Sequence, residues 1–230
     1  MEIEGFSLSQ PDGLPLAGFD KLAFDYPYPD YGAAHARRQI TFGSFNNISK
    51  LTPRTIALWA KVLAAVPDSR LLLKAPSFMD GAAVRRFADL FAEAGVAAER
   101  LEFRGPAGLT EMMAEYAEVD IALDTFPFNG GTTTCQALWM GAPVVSLAGE
   151  NFCQRVGASI LATIGRPEWI AGNEEEFVAI AVCLAADREA QDFFLFPRRK
   201  TPKRSGTGEG HQGRVLSNGA GMVRPKTTDL

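Results

Sequence analysis

Hydrophobic and polar positions divide the chain into three stretches. Residues 1–38 are rich in Pro, Gly, Asp and Tyr, as in QPDGLP and DYPYPDYG, and show no sustained period. From Gln39 the pattern becomes regular. Apolar-rich runs QITFGS, RLLLKA, RLEFRG, VDIALDT and PVVSLA, each about as long as a buried strand, alternate with segments of helical spacing. The spacing predicts helices over 53–66, 80–94, 109–117, 132–140, 152–164 and 174–186. Beyond Gln191 the period fails. Strand and helix in alternation predict an α/β fold, a Rossmann-like parallel sheet with helices on both faces. The expected organisation is an irregular connecting segment at 1–38, one Rossmann-like domain at 39–190, and a basic Gly-rich tail of disordered composition at 191–230.

The boundaries carry their own signals. Thr52 before Pro53 places a hydroxyl cap ahead of a proline whose missing N–H costs nothing in a first turn. Asp80 is a cap for the second helix, and Gly95, Gly141 and Gly165 stand where helices end in a left-handed residue.

Charge changes the picture of the tail. The 230 residues hold 23 Lys+Arg and 27 Asp+Glu, a net charge of −4. Division at Pro197 gives a final stretch at +6 and a body at −10. An acidic body argues against a general nucleic-acid surface, which needs clustered Lys and Arg. The tail suits an acidic partner by charge but lacks interleaved aromatics, so it reads as a solvated basic segment and nucleic acid is not an expected partner. Cys135, Cys153 and Cys183 form no CxxC pair and are odd in number, which fits neither a disulfide framework nor a zinc site. The acidic start MEIEGFSLSQ is unlike a secretory signal, and no apolar run has the length of a membrane span. The expectation is a cytoplasmic protein with no membrane contact.

In an open parallel sheet, ligands bind at the carboxyl ends of the strands. After VDIALDT the chain reads Phe126, Pro127, Phe128, Asn129, Gly130, Gly131, Thr132, Thr133, Thr134. Two glycines allow close backbone approach, and three hydroxyls with free amides then stand at the positive end of a helix. This is a phosphate or diphosphate cradle, or else a glycine turn with threonine caps. It is neither GxGxxG nor a Walker sequence. After the first strand, Asn46, Asn47 and Lys50 supply neutral donors and one cation suited to a pyrophosphate, with an Asn-rich turn and a solvated Lys as the alternative. Gly105 to Gly108 offer backbone groups to a flat heterocycle, or form an ordinary turn. Cys135 is expected to face the core, and Arg155 to anchor a helix beside the close-packing Gly157 and Ala158. Asp120 and Asp124 read as ordinary polar residues at one ligand-facing strand end. His35 and His211, the two histidines of the chain, read as solvated, and no HExxH, GxSxG or paired-carboxylate signature is present.

The stretches ITFGSFNNISKLTPRTIALWAKVLAAVPDSRLLLK, VDIALDTFPFNGGTTTCQALWMGAPVVSLAGE and RVGASILATIG resemble the C-terminal half of the O-linked N-acetylglucosamine transferase family, of the bacterial type associated with tetratricopeptide repeats. The resemblance implies a two-Rossmann glycosyltransferase whose C-terminal lobe holds UDP. By its motifs Asn47 and Lys50 meet the diphosphate and sugar end, and Gly130, Gly131, Thr132 and Thr133 cradle phosphate. It implies a UDP-N-acetylglucosamine donor, a protein Ser or Thr acceptor, inversion at the sugar, and no metal or other cofactor.

Departures accompany the matches. Gln136 stands where the family commonly has an acidic residue for the ribose, and Met112 where it tends to have a histidine; each change should cost about 1 to 2 kcal/mol of nucleotide binding if buried in the complex. The family's final helix should follow Ala186 but gives way to the Gly-rich tail, an ending that a truncated or frameshifted reading frame would produce. Its catalytic lobe and repeats are not recognisable, so no residue is assigned to catalysis. The expectation is a UDP-sugar-binding lobe inactive alone, working with a separately encoded N-terminal lobe or a tetratricopeptide-repeat protein. The alternative is a degenerate interaction domain that keeps the fold without binding nucleotide.

Overall fold

A computed structural model of the chain describes residues 39–187. The irregular segment 1–38, the tail 191–230 and both histidines lie outside the described residues.

Six parallel strands form one sheet in the order β3-β2-β1-β4-β5-β6. They are β1 (Thr41–Ser44), β2 (Arg70–Lys74), β3 (Leu101–Arg104), β4 (Ile121–Leu123), β5 (Val144–Leu147) and β6 (Ile170–Ala171). The central register pairs Phe42 with Leu71 on one side and Ile121 on the other. Central strands are buried on both faces, so Leu71, Leu72 and Leu73 run consecutively without alternation. Edge strand β3 instead carries Glu102 and Arg104, charges that discourage pairing with another chain. The order reverses between β1 and β4, which opens the crevice in which such sheets bind ligands.

Among the described residues six α-helices cover the sheet: α1 (Pro53–Ala65), α2 (Gly81–Glu93), α3 (Leu109–Ala114), α4 (Thr132–Trp139), α5 (Val156–Thr163) and α6 (Glu174–Ala186). Thr52 accepts from the Thr55 amide at 3.2 Å and Pro53 opens α1, while Asp80 accepts from the Ala82 amide at 2.8 Å to cap α2. Ile56, Trp59, Val62 and Leu63 on α1 turn inward at helical spacing and bury fully. The predicted stops at Gly95, Gly141 and Gly165 have φ of +86°, +85° and +72°, values that cost a residue without a Cβ little.

Three differences from the sequence pattern have local causes. The helix expected over 109–117 divides into α3 and a 3₁₀ turn at Glu115–Glu118, and that over 152–164 into a 3₁₀ turn at Phe152–Gln154 and α5. β6, two residues long, is too short to show a period; it exists because Ser146 and Leu147 offer an open edge to Ile170 and Ala171. Cys135 is exposed on α4, contrary to the core position expected. Thr134, Ala137 and Leu138 take the inward face of that helix, and Cys135 falls off it.

Candidate functional site

The site forms where the chain leaves β1 and β4 and enters the next helix. After β1, Asn47 is exposed and accepts from the Ser49 amide at 3.0 Å, capping a 3₁₀ turn at Ile48–Lys50. That turn directs Lys50 across the crevice, where Nζ donates to the Asn129 carbonyl at 2.9 Å and to Asn46 Oδ1 at 3.5 Å, and lies 4.6 Å from the centre of the exposed Phe128 ring. Burial lowers the Lys50 pKa, and the Asp124 carboxylate opposes the shift.

The β4–α4 loop is held from several sides. Thr52, the cap of α1, and Thr55, in its first turn, donate to the Phe126 carbonyl. Asn129 donates through Nδ2 to the Thr125 carbonyl at 2.9 Å, and its own amide donates to the Cys153 carbonyl at 2.8 Å. Gly130 is buried, and a Cβ there would stand 2.7 Å from both Thr133 Oγ1 and Thr134 Oγ1, so no larger residue fits. Gly131 is the N-cap of α4 and supplies no capping side chain. The first amides of α4 therefore have no intrahelical or side-chain acceptor, and the helix presents about half a positive charge there.

Thr133 Oγ1 donates to Asn46 Oδ1 at 2.9 Å, which links the loop after β1 to the start of α4. The sequence-predicted residues Lys50, Gly130, Gly131, Thr132 and Thr133 thus share one crevice, with Thr132 exposed and Thr133 half-buried. Gln136 is half-buried on the next turn of α4, at the helical spacing that puts it on the face of Thr132 and Thr133. Met112 is half-buried against the core. Lys74, 5% exposed, donates to the Gly105 carbonyl at 2.9 Å and pairs with Glu115 at 2.8 Å, so the loop that begins at Gly105 is tied down by a buried ion pair.

The tertiary structure separates residues that the sequence reading left together and adds Tyr116, which it passed over. Asn46 is buried between Lys50 and Thr133, while its neighbour Asn47 caps a turn; the FNN signal was visible, but only the tertiary contact separates the two residues. Tyr116 stacks on Phe45 with ring centres 4.1 Å apart and donates to the Thr133 carbonyl at 3.3 Å, its pKa raised by burial. Asp120 and Asp124 do not share a strand end. Asp120 accepts from the Thr41 amide at the opposite edge of the sheet, and Asp124 alone lies at the crevice. Arg155 is exposed, its guanidinium on the Gly149 carbonyl at 3.0 Å, while Gly157 makes the close helix contact.

A second hollow on the same edge, about 300 Å³ in volume, is lined by Arg54, Phe126, Asn173, Glu174 and Glu175. Arg54 is already paired with Glu174 at 2.8 Å, so its lining does not suit a diphosphate. Among the described residues no group of three His, Cys, Asp or Glu is placed to hold a metal ion, and no helix is long and apolar enough to cross a membrane.

Comparison with known proteins gives this arrangement a family. The model of glycosyl transferase family 41 matches residues 30–196. The chain belongs to glycosyl transferase family 41. It is 43% identical over 149 residues to rice "Probable UDP-N-acetylglucosamine--peptide N-acetylglucosaminyltransferase SPINDLY", an alignment covering 64% of this chain and 16% of that protein. It is 34% identical over 150 residues to the Caenorhabditis elegans UDP-N-acetylglucosamine--peptide N-acetylglucosaminyltransferase, covering 65% and 13%. Among solved structures, a mutant O-GlcNAc transferase of Thermobaculum terrenum superposes with a TM-score of 0.65 at 39% identity, over 66% of this chain and 29% of that one. The chain therefore spans about one sixth of the length of the rice relative, and the family 41 match takes in the whole of the crevice.

Proposed function

We propose that residues 39–187 form the UDP-sugar-binding lobe of an inverting, O-GlcNAc transferase-like protein glycosyltransferase, with UDP-N-acetylglucosamine as donor and a protein Ser or Thr as acceptor. The observation that carries the reading is the junction of Lys50, Asn46 and Thr133 at the uncapped start of α4. A diphosphate bears two or more negative charges at neutral pH. The crevice offers one ammonium, the positive end of a helix and hydroxyl donors within a few ångströms of each other, which is the donor set such a group needs without a divalent ion. The Gly105–Gly108 loop, tied by Lys74, is the surface assigned to the base; Asn47 and Gln136 are assigned to the donor's sugar end and ribose.

Sugar transfer needs a base within hydrogen-bond reach of the acceptor hydroxyl. Residues 39–187 contain no histidine, and the buried Asp124 is enclosed by its own donors. This lobe by itself holds the donor without transferring the sugar; transfer falls to a further lobe that supplies the base. Calorimetry tests the reading. Heat on titration with UDP and with UDP-N-acetylglucosamine is expected, and its absence at millimolar ligand rejects the proposal.

A second reading, a domain that keeps the fold and serves interaction alone, is favoured by the amide at Gln136 and the thioether at Met112. It predicts that Lys50→Ala and Thr132→Ala change nothing but stability. Loss of UDP affinity in either variant excludes it.

A further inference from the structure

Asp124 is the group in the crevice whose chemistry the donor site leaves unused. It follows β4 directly and is 2% exposed. Three donors converge on its carboxylate: Oδ1 accepts from the Thr125 amide at 2.8 Å and the Gly130 amide at 2.6 Å, and Oδ2 accepts from Ser146 Oγ at 2.6 Å. Helix α5 presses on the same group, since a Cβ at Gly157 would meet Asp124 Oδ2 and Ser146 Oγ. Lys50 is the cation whose charge acts on it. Burying a carboxylate is costly unless its lone pairs are filled, and here they are filled by the loop that precedes α4 and by Ser146 on β5.

The bond to Gly130 has a directional consequence. It closes the excursion from Thr125 to Asn129 and fixes the Asn129–Gly130 peptide, one residue before Gly131, the N-cap of α4. The Thr132 and Thr133 amides, the first of α4, lie two and three residues beyond that anchor. We propose that Asp124 is a positioning residue for nucleotide binding: by holding the Gly130 amide, it sets the orientation of the open amides at the start of α4 that receive the donor's phosphate. The inference rests on the reading of this crevice as a diphosphate site. It makes the acceptor geometry of residue 124 the determinant, and an asparagine can reproduce that geometry. Its carbonyl oxygen serves Thr125 and Gly130, and its amide donates to a rotated Ser146 hydroxyl.

The experiment compares amide spectra and UDP titrations of the wild-type chain, Asp124→Asn and Asp124→Ala. Without ligand, the Gly130, Thr132 and Thr133 amide resonances should move together in Asp124→Ala and stay near their wild-type positions in Asp124→Asn. UDP affinity should fall at least about tenfold in Asp124→Ala and remain within about threefold in Asp124→Asn, the loss of a charge-assisted hydrogen bond setting the scale. A wild-type pH titration gives the same information if the alanine variant does not fold: protonation of Asp124 should shift Gly130, Thr132 and Thr133 with one midpoint. Amides of Thr132 and Thr133 that ignore residue 124, or full UDP affinity in Asp124→Ala, overturn the proposal. If the amides respond as expected while the wild-type chain fails to bind UDP, the donor reading fails and the control of the helix start by Asp124 stands.

Discussion

Substituting Gly157 with alanine tests whether the crevice is braced from below by close contact between α5 and the end of β4. Gly157 is buried in the first turn of α5. An added methyl would collide with Ser146 Oγ and Asp124 Oδ2 and would lie 3.0 Å from Ser146 Cβ. None of these atoms is the far end of a flexible side chain, and the two oxygens are bound to each other at 2.6 Å. Either α5 moves outward or the Ser146–Asp124 hydrogen bond breaks; each route costs about 3 kcal/mol at the upper end of its range. Alanine returns up to about 1 kcal/mol through its better helix propensity. The expected net loss is about 2 kcal/mol, or about 4 to 8 °C in Tm for a domain of this size. Urea unfolding followed by tryptophan fluorescence should show a lower midpoint at an unchanged slope. Ser146→Ala removes the nearest obstacle, so the double variant should be more stable than the sum of the singles by about 1 kcal/mol. A loss under about 0.5 kcal/mol, or an additive cycle, would refute the reasoning.

Other outcomes follow from the same contacts. Burial raises the Asp124 pKa from 3.8 to about 6, with its three hydrogen bonds opposing the shift. The folded state therefore holds this proton more tightly than the unfolded state. The stability so contributed is full below about pH 4 and lost as pH rises through about 6, roughly 3 kcal/mol in all. Urea midpoints of the wild type measured against Asp124→Asn should decline over that window, and a constant difference would contradict it. Thr52→Ala removes the cap of α1 and a donor to the Phe126 carbonyl; a loss of about 1 to 2 kcal/mol is expected in thermal melts, largely recovered by Thr52→Ser. Lys50→Ala should weaken UDP binding by about ten- to a hundredfold in calorimetry, the scale of a hydrogen bond from a charged donor. Cys135 and Cys183, both exposed, should react with a maleimide in the native protein, and protection of Cys135 without denaturant would argue for an inward position on α4.

Much of the fold was legible because its signals are local. Thr52, Asp80 and the three glycines mark helix ends through their own backbone and side-chain preferences, and the apolar runs of β1, β2, β4 and β5 need burial on both faces wherever they sit. The breaks before Glu115 and Val156 were not legible, because a 3₁₀ turn and an α-helix share nearly the same apolar spacing. Within the site, the glycines and threonines before α4 signalled an open helix start. What they could not signal was the partner of each polar group. Asn46 and Asn47 are the same residue type one position apart, yet one is buried between Lys50 and Thr133 and the other caps an exposed turn.

The sequence by itself determined the alternation of strand and helix, the family motifs, and the placing of Lys50, Gly130, Gly131, Thr132 and Thr133 on loops that follow strands. These depend on periodicity and on what each residue allows its own backbone. Only the tertiary structure decided that β1 lies beside β4, so that residues 79 positions apart, Lys50 and Asn129, meet at 2.9 Å. It also separated two aspartates four residues apart. Asp120 went to one edge of the sheet and Asp124 to the other, beneath the loop that opens α4. A strand carries its two ends to opposite edges of a sheet, and which edge holds the ligand is settled by where the strand order reverses, a property of the assembled sheet.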